Sequence, residues 1–260
     1  MVLNGARILV TRPEHQAENL SRLIEEQGGV AVRFPTLEIV AKDVTNDIKN
    51  TLTNLNQYQW IIFISVNAVN FALQANNGKI AEFISATCRL TVKFAAVGQA
   101  TAQAMKRAGL PVDLMPTDDF SSEALLAMPE LHQLEGRHCL IIRGEGGREQ
   151  LADTLQSRGA KVTYLEVYKR IMPRIDSSLI DSMLQQHCLD VITVTSVEAL
   201  QNLNLILGNK IKQLSLIPLV VISDRIRHIA ADLGFNRIAV TDKPSDAAIL
   251  ETVITCVTGE

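Results

Sequence analysis

Aromatic residues are rare in this chain: one Trp, three Tyr and seven Phe among 260 residues, 4% of the total. Single-stranded nucleic acid is gripped by stacking successive bases on aromatic faces, and too few are present for that role. Positive charge is not in excess either. Twenty-five Lys and Arg stand against 28 Asp and Glu, a formal net charge of −3, whereas a DNA or RNA duplex calls for a basic footprint. An anionic ligand must then be held by local donors rather than by the field of the whole chain. No apolar stretch approaches the roughly 18 residues that would suggest a membrane span. Met1 runs into a strand with no charged-then-apolar leader. The four cysteines, Cys88, Cys139, Cys188 and Cys256, are far apart and form no C-x-x-C. Cys139 and Cys188 read as small core residues of a reducing compartment, so the expected location is cytoplasmic.

Catalytic signatures are equally sparse. There is no G-x-S-x-G, no H-E-x-x-H and no evident pair of catalytic carboxylates. Gly144-Glu145-Gly146-Gly147-Arg148 resembles a phosphate loop but lacks the Walker lysine and spacing, and it lacks the G-x-G-x-x-G order. It reads as a turn into a helix. His138-Cys139 and His187-Cys188 invite a metal reading. Neighbouring strand residues face opposite ways, so no metal site is expected.

What the chain does have is a repeat. Ile8-Leu9-Val10-Thr11-Arg12 with Gly28 returns 131 positions later as Cys139-Leu140-Ile141-Ile142-Arg143 with Gly159. Ile62-Phe63-Ile64-Ser65-Val66-Asn67-Ala68 returns as Thr193-Val194-Thr195-Ser196-Val197-Glu198-Ala199 at the same offset. Ala96-Val97-Gly98 returns as Val221-Ile222-Ser223, and Thr117-Asp118 with Ser121 returns as Thr241-Asp242 with Ser245; by then the offset has drifted to 124. The chain is two copies of one half, long enough for two domains with their own cores.

Short β-rich runs alternate with amphipathic helical runs, the pattern of parallel sheets covered by helices. Strands are expected at 7–10, 30–34, 60–64, 93–97, 112–115, 138–142, 161–165, 190–194, 218–222 and 237–240. Two equivalent runs, 34–41 and 164–171, prolong strands beyond the usual 5–6 residues and suggest crossings between domains. One domain would then be 1–35 plus 174–260 and the other 45–163, with 36–44 and 164–173 as paired antiparallel connector strands. Ile8 would lie nearer Ile192 than Ile62. A contiguous pair of domains cut near Pro129 is the alternative.

Ligands of parallel sheets bind beyond the carboxyl ends of the strands, against helix N-termini. The repeated motifs fall there: Thr11-Arg12, Ser65 to Ala68, Gly98 to Thr101, Arg143-Gly144, Thr195-Ser196 and Ser223-Asp224. Ser, Thr and Asn are also the preferred helix caps, so each alone is ambiguous. Together they describe a rim of donors on both domains, suited to a ligand with many acceptors. Candidate binding residues are Arg12, Ser65, Asn67, the backbone of Ala68 and Gly98, Thr101, Arg143, Ser196 and Ser223.

In order and spacing these motifs resemble the uroporphyrinogen-III synthase family. The resemblance runs through Leu9-Val10-Thr11-Arg12-Pro13, Phe63-Ile64-Ser65-Val66-Asn67-Ala68-Val69 and Val97-Gly98-Gln99-Ala100-Thr101-Ala102. It continues through Glu166-Val167-Tyr168-Lys169-Arg170 and Thr195-Ser196-Val197-Glu198-Ala199. Two departures are Ile64, where the family commonly has Thr, and Ser223-Asp224-Arg225 in place of a Gly-containing turn. The resemblance implies two flavodoxin-like α/β domains joined by a two-stranded antiparallel connector, and a monomer without metal or organic cofactor. It implies closure of the linear tetrapyrrole hydroxymethylbilane, with transient contact to hydroxymethylbilane synthase as a way of receiving that substrate. Tyr168 is the candidate acid for the departing hydroxyl. The alternative from another class is a two-domain binding protein that closes on an anionic metabolite without reacting it.

Overall fold

The computed structural model describes residues 1–78, 91–147 and 149–259; Cys88 and Arg148 lie outside the described residues. The chain forms two compact units, Met1–Glu38 with Ile171–Glu260, and Ile39–Arg170. In the first unit β1 (Arg7–Val10), α1 (Glu14–Glu26) and β2 (Val30–Arg33) come from the start of the chain. The second unit follows with β3 (Glu38–Ala41), α2 (Asn46–Thr53), β4 (Trp60–Phe63), α3 (Val66–Ala75), β5 (Lys93–Ala96) and α4 (Gln99–Arg107). It continues through α5 (Ser122–Leu126), β6 (His138–Gly144), α6 (Gln150–Ser157) and β7 (Lys161–Ile171). The first unit then resumes with α7 (Ser178–Gln185), β8 (Val191–Val194), α8 (Val197–Leu207), α9 (Ile211–Leu214), β9 (Leu219–Val221), α10 (Asp224–Asp232), β10 (Ile238–Val240) and α11 (Asp246–Thr258).

The first sheet has the order β10-β9-β8-β1-β2 and the second β3-β7-β6-β4-β5. β1 pairs in parallel with β2 on one side and β8 on the other, Leu9 lying opposite Ile192. β6 likewise sits between β7 and β4, again in parallel. Matched through the repeat, β1-β2 correspond to β6-β7, and β8-β9 to β4-β5. Each unit is therefore assembled from the opening of one copy and the close of the other. The order in both follows the doubly wound 2-1-3-4 pattern.

Strand and helix sequences explain the layers. Residues of β4 and β8 are buried throughout, as strands covered on both faces must be. In the second unit Ile61, Phe63, Leu140 and Ile142 face Leu52, Val69 and Met105, while Ile62, Cys139 and Ile141 face Leu125, Leu151 and Leu155. In the first unit Ile8 and Val10 face Leu20, Ile24, Ile249 and Val253; Leu9 and Ile192 face Leu200, Leu203 and Ile226. A fully buried side chain of this size contributes roughly 1.5–3 kcal/mol, so each sheet is held from both sides.

Two sequence expectations are corrected. Residues 112–115 form no strand; only an isolated bridge between Ala95 and Leu114 remains, because the Phe94 N–H donates to the Asp113 carboxylate at 2.8 Å instead of to a ladder carbonyl. The run 34–41 does not prolong β2 as one long strand: β2 stops at Arg33 and β3 begins at Glu38. Pro35 interrupts it, and Thr36 turns inward, its hydroxyl donating to the Ala199 carbonyl at 2.9 Å. β3 pairs with β7 at one edge of the second sheet, and β7 keeps its ladder with β6 as far as Tyr168. Among the described residues no helix is long and apolar enough to cross a membrane.

Candidate active site

The strand-end serines each carry a defined bond. Ser65 Oγ accepts from the Ala68 N–H at 3.1 Å, Ser196 Oγ from Ala199 at 3.0 Å and Ser223 Oγ from Ile226 at 3.4 Å. All three residues are extended N-caps. The Ala68 N–H, expected to be a free donor, is thus already engaged, and Ala68 is fully buried. Thr101 lies on the inner face of α4, one turn before buried Met105, because residues four apart share a helix face. Asn67 is half-buried in the first turn of α3. Gly98 stands apart. It caps α4 without a side chain, and Gln99 and Ala100 after it are exposed, so no side chain of its own blocks those N–H groups.

Tyr168 lies one residue past a register shift. Arg143 pairs with Glu166 but Gly144 pairs with Tyr168, so β7 carries one extra residue there. A Cβ on Gly144 would stand 2.4 Å from Tyr168 Cε2; only glycine leaves room for the ring. The ring stacks on Phe71 with centroids 5.5 Å apart, and its hydroxyl is 3.2 Å from Ser65 Oγ, either group donating. Tyr168 is therefore buried. It nonetheless lines a cavity of about 290 Å³ together with Ile64, Ser122, Arg143, Tyr164 and Arg170.

Arg143 forms one wall of that cavity and is 3% exposed. Its Nε donates to the Gly144 carbonyl at 3.1 Å, a terminal nitrogen donates to the Gly146 carbonyl, and the guanidinium lies 4.6 Å from the centre of the Tyr164 ring. Nη1 donates to Glu149 Oε1 at 3.3 Å, and the Tyr164 hydroxyl donates to Glu149 Oε2. Burial first, and then the Glu149 carboxylate, push the Tyr164 phenol up to about 12. The Tyr164 hydrogen bond in turn holds Glu149 below the usual carboxylate range. The glycine loop read as a turn wraps this arginine: Gly147 has φ +103°, and a Cβ there would come 2.9 Å from Arg143 Nη2. Nearby, Lys42 pairs with Glu145 at 2.9 Å and Glu166 at 3.0 Å.

Arg12, the counterpart of Arg143, is also committed. It pairs with Asp246, whose other oxygen accepts from Asn19 Nδ2 at 2.6 Å. Both strand-end arginines named as candidate binding residues are paired with carboxylates here. The His-Cys pairs do not converge either. His138 bonds Thr163 Oγ1 at 2.9 Å, and burial pushes the Cys139 thiol up to about 11. Among the described residues no group of three or more His, Cys, Asp or Glu comes together.

Tyr164, Glu149, Ser122 and Arg170 were not found from the sequence. Tyr164 and Tyr168 are four apart on one strand, a spacing that signals a shared face, but Glu149 and Ser122 carry no sequence signal and meet Arg143 only through the fold.

Residues 18–251 match the family model described as uroporphyrinogen-III synthase HemD. The chain is 33% identical to uroporphyrinogen-III synthase of Salmonella typhimurium over 255 residues, covering 95% of this chain and 99% of that protein. It is also 33% identical to the Escherichia coli enzyme over 248 residues, with the same coverage of 95% and 99%. Its fold is similar to a mutant uroporphyrinogen III synthase of Thermus thermophilus, with TM-score 0.62 at 15% identity, covering 98% of this chain and 100% of that one. The Helicobacter pylori uroporphyrinogen-III synthetase gives TM-score 0.60 at 15% identity, with coverage of 96% and 99%. Spanning both units and nearly the full length of its relatives, the chain belongs to the uroporphyrinogen-III synthase family.

Proposed function

We propose that this chain closes hydroxymethylbilane to uroporphyrinogen III as a cyclising hydro-lyase, with loss of water and inversion of ring D. The observation that carries the reading is the family match over residues 18–251. Departure of the terminal hydroxyl as water leaves an azafulvene electrophile. The substituted carbon of ring D attacks it to give a spiro intermediate, and rearrangement inverts that ring before closure. Uncatalysed closure gives the uninverted isomer, so the main task is to hold a flexible chain in one geometry. Many weak donors suit that task better than a strong nucleophile.

In this reading Tyr168 donates a proton toward the departing hydroxyl. Support comes from its place on the cavity wall and from Ser65, which fixes its oxygen at 3.2 Å. Ser65, Asn67, the Gly98 backbone, Arg143, Ser196 and Ser223 are the donors assigned to substrate acetates and propionates. Arg12 is left out of the set because Asp246 neutralises it. The enzyme works as a cytoplasmic monomer without metal or organic cofactor, and meets hydroxymethylbilane synthase transiently to receive its unstable substrate. The test is to mix purified protein with freshly made hydroxymethylbilane, without added metal or nucleotide, and separate the products. The type III isomer should dominate; wholly type I product would overturn the assignment.

A further inference from the structure

The two halves end their first strand in the same residue and surround it differently. In the first unit both oxygens of Asp246 are taken, by Arg12 and by Asn19, and the Asp246 side chain is 19% exposed. The position equivalent to Asp246 in the other half, 124 residues earlier, is Ser122. No carboxylate stands there in the second unit, and the cavity opens instead, with Ser122 in its wall. Arg143 still needs an anion, because a guanidinium this deeply buried is costly when unpaired. Glu149 supplies it, reaching inward from a side chain that is 56% exposed.

Glu149 is held as a ligand would be. One oxygen takes the Arg143 Nη1 bond at 3.3 Å and the other takes the Tyr164 hydroxyl. Arg143 cannot follow Glu149 outward, since it is tied to two backbone carbonyls and packed on the Tyr164 ring. The receptor is rigid and its present occupant is mostly in solvent. Arg170 lines the same cavity.

We propose that Arg143 and Tyr164 form a carboxylate subsite, and that Glu149 fills it only until a carboxylate of the substrate takes its place. The proposal rests on the synthase reading, which supplies a ligand rich in acetates and propionates. Exchanging one carboxylate for another keeps Arg143 paired throughout, so the penalty of a bare buried charge is never incurred. The fully held Asp246 makes the equivalent place in the first unit a permanent ion pair rather than a site.

A monopyrrole bearing one acetate and one propionate is the probe, titrated calorimetrically into the full-length protein. Glu149→Gln removes the competing charge and should tighten binding about tenfold, as loss of a tethered competitor does. The same variant should lower KM for hydroxymethylbilane. Tyr164→Phe in the Glu149→Gln background removes one hydrogen bond to the probe and should weaken binding about fivefold. The dimethyl ester of the probe should not distinguish the variants. Unchanged or weaker binding in Glu149→Gln, or no binding to any form, overturns the subsite. Arg143 variants are avoided because a buried arginine can be needed for folding. The synthase reading fails separately, through the isomer assay on wild-type protein. Type III product combined with variant-independent probe binding sinks the subsite alone.

Discussion

Tyr168 shows how much one side chain can be asked to do. Its ring is locked by Phe71 and by the absence of a Cβ at Gly144, and its hydroxyl is paired with Ser65. General acid catalysis is typically worth about 10²–10⁴-fold, so Tyr168→Phe should lower turnover by that order. The fold should persist, since the ring contacts remain; circular dichroism and the melting temperature check this. A folded Tyr168→Phe protein with near wild-type turnover would leave positioning by backbone donors as the whole mechanism. Tyr164 gives a second test at this scale. Its phenol is raised from 10.0 to about 12, so the neutral form is favoured by the fold. The associated stability is fully present below the unfolded value and is lost as pH rises through about 12. In an alkaline titration followed by tyrosinate absorbance, the difference between wild type and Tyr164→Phe should be a single step near that pH. A step near 10 would mean that neither the burial of the Tyr164 phenol nor its contact with Glu149 persists in solution.

At the scale of elements, the β6–β7 pair decides the site. Simple alternation along β7 would put Tyr164 and Tyr168 on one face. The extra residue in β7 opposite the Arg143–Gly144 step changes this: Tyr168 packs with Leu165 and Val167 in one core layer, while Tyr164 packs with the other. Gly144→Ala should therefore act on the pairing of two strands rather than on a loop. A methyl forced against the Tyr168 ring overpacks the site by about 1–3 kcal/mol, read as a lower urea midpoint with an unchanged slope. No shift would show that β7 can slide away from Gly144. The helix starts were easier to read. Ser65, Ser196 and Ser223 follow apolar strands, and their capping role needs only local geometry. Whether a capped N–H remains free for a ligand is not a local question, as the Ala68 N–H bonded to Ser65 Oγ illustrates.

At the scale of the whole molecule, the repeat and the units do not coincide. β1 and β2 from the first copy share a sheet with β8, β9 and β10 from the second. A fragment of residues 1–128 contains β1 without β8, leaving one edge of its central strand unpaired. We expect this fragment to be unfolded or aggregated, and residues 39–170 expressed alone to fold, since β3 to β7 are all present. Dispersed amide proton shifts for 39–170 and their absence for 1–128 are the expected readouts. A cooperatively folded 1–128 fragment would argue for a contiguous domain instead.

The alternation of apolar strands with amphipathic helices, the duplication and the serine caps were all determined by the sequence, because each depends on residues close together in the chain. The same holds for the family resemblance, which lives in short motifs kept in order. Only the tertiary structure decided which copy lends strands to which sheet, since parallel pairing joins segments more than a hundred residues apart. It also decided which charges neutralise one another. Arg12 and Arg143 occupy the same place in the repeat, yet Asp246 closes around one and Ser122 leaves a cavity beside the other. A buried guanidinium takes whichever carboxylate the fold brings within reach, and no spacing along the chain records that choice.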